Sequence, residues 1–320
     1  MGEIRVESEF APLRTVVLAR SEVCIPASAR EDPDMRFLPH GTVEFTGDLR
    51  EADPRRQAAW EAEREAFAAV LRRHGVRILR PRPLTRAEKS AAGNRGYANF
   101  FARDPFFTVG EHVIEGSMRF RHRRGEVLPM REVFREHVYP ANGSYVAVPA
   151  PEVAAPDDPS LGPGPFLEGG DVLVLGRHVF VGASGLASNT LGADWLRKYL
   201  APHGCTVEQV RLHETILHLD CALGLVRDGL MVVCEEAFPD GVPEVLHGWD
   251  RVDVSLADAG RLATNGLPLG PDVYVTDPEF GRIGEQLERR GVTVEYVDFS
   301  VSRSLGGAFR CSTQPLRRTA

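Results

Sequence analysis

The chain has 320 residues, 43% hydrophobic and 26% charged, with a formal net charge of −7. That length can bury a large core, and the balance is ordinary for a globular protein. The negative charge gives no footprint for nucleic acid, and no apolar run of about 18 residues exists to span a membrane.

The five cysteines are scattered, without CxxC spacing. This argues against a disulfide framework and a cysteine zinc site, and it suits a reducing cytoplasm. The opening Met1-Gly2-Glu3-Ile4-Arg5 lacks the apolar region of a signal peptide. Lysine occurs only as Lys89 and Lys198, which reads as base composition of the source genome and not as function.

In chain order, "RTVVLAR" (14–20) predicts a strand, and "WEAEREAFAAVLRR" (60–73) a helix that stops at a glycine before the short strand of "HGVRILRP" (74–81). "FFTVGEHVIEG" (106–116) predicts a hairpin turning at Gly110-Glu111, and "PEVAAPDDPSLGPG" (151–164) a surface loop or lid. "DVLVLGRHVFVGAS" (171–184) predicts a second hairpin at Gly176-Arg177. The helix "LGADWLRKYLAP" and strand "HGCTVEQV" follow it. "DVYVTD", "EFGRIGEQLERR" and "GVTVEYV" (272–297) repeat the scheme of strand, helix and strand.

Repeated units of this kind stack or close around an axis. No GxGxxG follows a strand and no GxxxxGK[ST] occurs, so a nucleotide-binding fold is not indicated. No clean domain boundary appears, and 1–320 reads as a single catalytic domain.

Four segments place ionisable residues in apolar or glycine-rich surroundings. Arg103-Asp104 sit between two phenylalanine pairs in "NFFARDPFFTVG". Glu168 and Asp171 bracket two glycines in "FLEGGDVLVLG". His218 and Asp220 lie two apart in the apolar "TILHLDCALGLV", a spacing that puts both on one strand face. Cys311 follows Arg310 in "GGAFRCSTQP".

Taken singly, Asp104 could start a turn, His218 could be a satisfied core histidine, and Cys311 could be a packed thiol. Together they point to one site, because buried carboxylates need a cation or each other. A thiolate is a strong nucleophile, a histidine shuttles protons, and carboxylates grip a planar cation by paired hydrogen bonds. A guanidinium is such a cation, and its central carbon is an electrophile. The remaining cysteines read as core (Cys205, Cys221, Cys234) or as core or pocket lining (Cys24). His213, Trp195 and Trp249 read as structural.

"EFAPLRTVVLAR", "FARDPFFTVGEHVIEGSMRFRHRRGE", "LEGGDVLVLG", "HLD" and "GGAFRC" occur in this order along nearly the whole chain. The ordered set resembles the guanidine-modifying enzymes: amidinotransferases, arginine deiminases and dimethylarginine dimethylaminohydrolases. The resemblance implies an α/β fold, a five-bladed α/β propeller (pentein) of repeated ββαβ modules around a central active site. It implies Cys311 as nucleophile, His218 as general acid/base and Glu168 as its partner. Asp104 and Asp220 would then clamp the guanidinium, with Asp171 in support.

No cofactor or metal is implied. The partners implied are a small-molecule guanidine donor and an amine acceptor, and family habit suggests a homodimer. "SNTLGADWLRKYLAPHG" and "SLGGAFRCSTQPLRR" look most like the glycine- and inosamine-type amidinotransferases. The expected activity is therefore transfer of the amidino group of L-arginine, or of a related guanidine, to an amine. An amidino-thiouronium would form on Cys311, and ornithine would leave. A hydrolase of the arginine deiminase or dihydrolase type, with water as acceptor, shares every one of these residues.

The usual arginines for a donor carboxylate are missing. Gly185-Leu186-Ala187-Ser188 and Glu235-Glu236-Ala237 stand where they are expected. Arg103 and Arg310 are candidate substrate-binding residues, with Arg119, Arg121 and Arg303 as further substitutes.

Overall fold

The computed structural model describes residues 3–26, 45–152 and 161–319. Among them, the apolar runs become strands in six three-stranded sheets. Four of these sheets follow one local rule. An antiparallel hairpin is followed by a connection, and a third strand then pairs parallel to the hairpin's second strand. The hairpins are Phe106–Val109 with His112–Glu115, Val172–Leu175 with His178–Ala183, Leu223–Arg227 with Leu230–Val233, and Leu267–Gly270 with Val273–Thr276. The parallel third strands are Ser144–Ala147, Thr206–Arg211, Asp250–Asp253 and Thr293–Tyr296.

The fifth blade is closed by the two ends of the chain. Thr313–Arg318 pairs antiparallel with Leu13–Leu18, Leu18 opposite Thr313, and Leu13–Leu18 pairs parallel with Arg77–Leu79. This is the expected five-bladed α/β propeller. Its closure has a consequence for function, because Cys311 stands two residues before the closing strand and is carried to the central axis with it.

Three connections are the helices read from the sequence, at Pro54–Arg73, Thr190–Leu200 and Gly281–Glu288. The first is capped by Asp53, whose side chain accepts from the Arg56 amide, and it has Pro54 in its first turn. It buries Trp60, Phe67 and Leu71. Phe67 meets Phe299 and Phe309 edge-on at 5.5 and 5.1 Å, which seats the helix against the segment leading to Cys311.

The other two blades are bridged by short pieces, Arg131–Val133 running into the π-turn Phe134–Val138, and the 3-10 turns Glu235–Ala237 and Glu244–Leu246. These are too short to show a helical period. A sixth, small antiparallel sheet joins Val23–Ile25 to Gly47–Asp48 and Tyr97–Ala98. It walls the mouth of the site. Most of the expected loop at 151–164 lies outside the described residues.

Candidate active site

Cys311 is buried, and its turn is held from three sides. Its amide donates to Asn265 Oδ1 at 3.1 Å, and its carbonyl accepts from the amides of Ala102 and Arg103 at 3.0 and 3.2 Å. Gly307 permits this turn, because a Cβ there would stand 2.2 Å from the Phe101 ring. The Sγ lies 3.8 Å from Asp220 Oδ2.

His218 is buried between two carboxylates. Nε2 lies 2.9 Å from Glu168 Oε2 and Nδ1 3.7 Å from Asp104 Oδ1. The EGGD segment folds as a tight turn, Gly169–Asp171. Its glycines are required by contact, since a Cβ on Gly170 would stand 2.6 Å from both Asp104 Oδ1 and His218 Nδ1. Asp171 does not face the cavity. Its oxygens accept from the Leu219 and Ser188 amides at 3.0 and 3.1 Å, tying the histidine turn to the EGGD turn. The sequence expectation of a strand at His218–Asp220 is corrected here. Leu219–Cys221 is a 3-10 turn, and the strand begins at Leu223.

Arg103 and Arg310 also differ from their expected place. Arg310 is buried at the axis, with Nη1 2.8 Å from Asp220 Oδ2, Nε 3.1 Å from Glu9 Oε2, and Nη2 donating to the Val172 carbonyl at 2.7 Å. Arg103 Nε donates to the Arg310 carbonyl at 3.3 Å. Neither lines the cavity that contains Cys311 and His218. Two carboxylates and a carbonyl saturate Arg310, so its chemistry is to fix Asp220 beneath the thiol. Arg303 is likewise engaged elsewhere, by Asp277 and Glu279.

Sequence reasoning missed Arg123, Glu126, Asn265 and Glu9. Arg123 bonds Asp104 at 2.6 Å, Glu126 at 2.7 Å and Glu168 at 3.2 Å, with its guanidinium 4.7 Å over the Phe101 ring. It fixes both carboxylates that flank His218. The visible signal was an Arg and a Glu three apart, Arg123 and Glu126, in the charged run after Met118. Removing one partner of a buried, multiply bonded pair leaves uncompensated charge. Arg123→Met is therefore expected to lower unfolding stability by about 3–5 kcal/mol, to be read from the shift of the urea midpoint.

The electrostatics favour an entering cation. Burial and the Asp220 and Asp104 carboxylates push the Cys311 thiol well above its ordinary range. Burial opposes the His218 imidazolium, but Asp104, Glu168 and Asp171 outweigh it and raise the group to about 10. Burial raises Glu126 to about 7 against the pull of Arg123, and it raises Asp171 to about 7. Burial and Arg123 lower His122, on the cavity wall, to about 4, so it is neutral at pH 7. The resting site thus holds a thiol, an imidazolium and a surplus of carboxylates.

The cavity around Cys311 is lined by Asp104, Arg123, Glu126, His218 and Cys221, with Val23, Ile25, Tyr97, Phe101, Leu217 and Leu305 above them. Cys221 was read as core. It is part of the main core, and it also lines this cavity, with Sγ 3.6 Å from Asp220 Oδ1. Cys24 lines it too. Cys234 is part of the main core and Cys205 packs against another apolar cluster. Among the described residues no group of three or more His, Cys, Asp or Glu side chains is arranged to hold a metal ion.

Residues 97–255 match the family model described as arginine deiminase. The chain is 27% identical to inosamine-phosphate amidinotransferase 1 of Streptomyces griseus, covering 100% of this chain and 98% of that protein. It is 25% identical to the mitochondrial glycine amidinotransferase of Gallus gallus, covering 97% and 82%. The solved amidinotransferase of Microseira wollei from a saxitoxin biosynthetic pathway shares the fold. Its TM-score is 0.83 at 20% identity, over 99% of this chain and 98% of that one.

Proposed function

The chain belongs to the guanidine-modifying enzyme superfamily, and from that membership we propose that it is an amidinotransferase working through Cys311. The observation that carries the reading is one cavity lined by Cys311, His218 and Asp104, with Glu168 behind His218 at 2.9 Å and Asp220 at 3.8 Å from the sulfur.

A guanidinium donor, L-arginine or a relative of it, enters between Asp104 and Asp220. Its charge offsets the carboxylates that hold the proton on Cys311, and as the cation binds the thiol gives that proton up to solvent, His218 being already protonated. Sγ attacks the central carbon, and an S–C bond forms. The C–N bond to the departing amine breaks, and that nitrogen takes the proton of the His218 imidazolium. With arginine the departing amine is ornithine.

The acceptor amine then gives a proton to the neutral His218 and attacks the amidino carbon of the thiouronium. The C–S bond breaks, the sulfur leaves as the thiolate, and it takes a proton back from solvent when the guanidinium product departs. Glu168 holds the imidazole ring throughout, and Arg123 holds Glu168.

The arginine deiminase match over residues 97–255 favours a second reading, in which water replaces the acceptor amine. Mass spectrometry of the products from arginine, with and without a panel of amines, separates the two. Ornithine with a new guanidine, formed only when an amine is present, supports transfer. Citrulline, or ornithine and ammonia without an acceptor, supports hydrolysis and overturns the transferase proposal. A homodimer and a cytoplasmic location go with the same reading.

A further inference from the structure

The floor and the wall of the catalytic cavity differ in charge. Asp104 and Glu126 line the floor, and the two cations there, Arg123 and His218, are already engaged. Arg123 bonds Asp104, Glu126 and Glu168, and His218 lies between Glu168 and Asp104. The other histidine of the lining, His122, is kept neutral at pH 7 by burial and by Arg123. Above them stand Val23, Ile25, Tyr97, Phe101, Leu217 and Leu305. Tyr97 presents its ring and not its hydroxyl, because the hydroxyl donates to Asp48.

Among the described residues no cation is placed in that upper wall. Lys89 lies 5.1 Å from the Tyr97 ring, but it is bound to Glu22 at 3.1 Å and to Asp48 at 3.6 Å, and it does not line the cavity. Of the arginines named as substitute anchors, Arg119 is not in the lining, and Arg121 lines a separate cavity beyond Tyr97, Ala98 and His122. A carboxylate carried in on a donor's tail would lose its water against aliphatic and aromatic carbon. It would also face Asp104 and Glu126, charges of its own sign. An alkyl tail on the same guanidinium gains from that contact with every methylene it buries. The cavity thus rewards a cationic head and an apolar tail, and it works against an anionic tail.

We propose that the donor is an alkylguanidine with an uncharged tail, selected over arginine by the apolar wall of Val23, Ile25, Tyr97, Phe101, Leu217 and Leu305. The inference rests on the reading of Cys311 as the nucleophile of amidino transfer and names the substrate class for it. The guanidinium sits between Asp104 and Asp220, and the tail lies along the wall. Sγ bonds to the central carbon, the C–N bond to the tail breaks, and the departing alkylamine takes the His218 proton.

The test is competition between donors of similar length on the full chain: n-butylguanidine, arginine and guanidinobutyrate. Equimolar pairs are incubated with the panel of amines, and the loss of each donor is followed by mass spectrometry, which gives the ratio of kcat/KM. Butylguanidine is expected to be consumed at least about tenfold faster than arginine, and guanidinobutyrate slowest of the three. A smaller ratio, or the reverse order, overturns the inference and leaves Cys311 as the nucleophile. No loss of any donor, with no amidino adduct on Cys311, overturns the transfer reading and this inference with it. Ile25→Arg places a cation in the wall and should raise consumption of guanidinobutyrate relative to butylguanidine at least about tenfold. Unchanged selectivity in a folded Ile25→Arg protein overturns the role given to the wall. If that variant fails to fold, the order of donors on the unaltered chain decides the matter.

Discussion

A Cys311→Ala protein is expected to fold and to turn over no guanidine. Losing the nucleophile should cost on the order of 10⁴-fold or more in kcat, because no other group of the site can form the covalent intermediate. The alternative thiol, Cys221, faces the other oxygen of Asp220. Its pKa is also driven well above the ordinary value, by burial and then by Asp220. It lacks the backbone cradle that Asn265, Ala102 and Arg103 give Cys311.

The stability cost of Cys311→Ala should stay near 1 kcal/mol, since one small side chain is shortened. Quenched reactions with donor alone should show the mass of one amidino group on the unaltered chain and none on the variant. An adduct on the variant, or undiminished turnover, would sink the assignment. Labelling with a neutral alkylating reagent gives a second readout. Cys311 should react slowly at neutral pH and faster when a small guanidinium compound is present, because that cation offsets Asp220 and Asp104.

The reach of the sequence follows from how local each signal is. Helix Pro54–Arg73 and the hairpins at Gly110 and Gly176 are written in contiguous residues, through a cap, a glycine stop and alternating apolar positions. They were legible. Cys311, His218, Glu168 and Asp104 were legible for another reason, because polar residues in apolar surroundings stand out before anything is known of their neighbours.

What escaped was pairing across the chain. Arg310 was read as a residue for substrate. It is spent on Glu9, which lies 301 positions away, and on Asp220. Arg123 is hidden in a basic run, where its spacing to Glu126 is the one local mark that sets it apart from the half-buried Arg119, Arg121 and Arg124, and nothing local says that it meets Asp104. Asn265 holds the Cys311 amide from 46 positions away. Propeller closure creates these contacts, and a single sequence carries no local trace of them. The short connections at Glu235–Ala237 and Glu244–Leu246 escaped because three residues do not complete a period.

The pH dependence of the protein is set by His218 and its partners. The imidazolium is raised from an ordinary 6.5 to about 10 by Asp104, Glu168 and Asp171, against burial. A group raised by folding contributes stability that is fully present below its unfolded value. That contribution is lost as pH climbs through the folded value, so this one fades between about 6.5 and 10. Glu126 and Asp171, both raised by burial to about 7, work in the same direction and are lost earlier, as pH rises through neutrality. Tm should therefore fall steadily from pH 6 to pH 10. His218→Asn should flatten the upper part of that decline.

Catalysis should follow the same proton. The attack needs the thiolate and the leaving amine needs the imidazolium, so kcat/KM should rise with pH as the raised Cys311 thiol gives up its proton and drop once His218 deprotonates near 10. His218→Asn should lower kcat by about 10²–10⁴-fold and remove that alkaline limb. A variant that keeps the limb would assign the titration to another group. A variant that keeps full activity would remove His218 from proton transfer. Loss of activity without loss of the thiouronium adduct would confine the histidine to the second half of the cycle, where the acceptor must give up its proton.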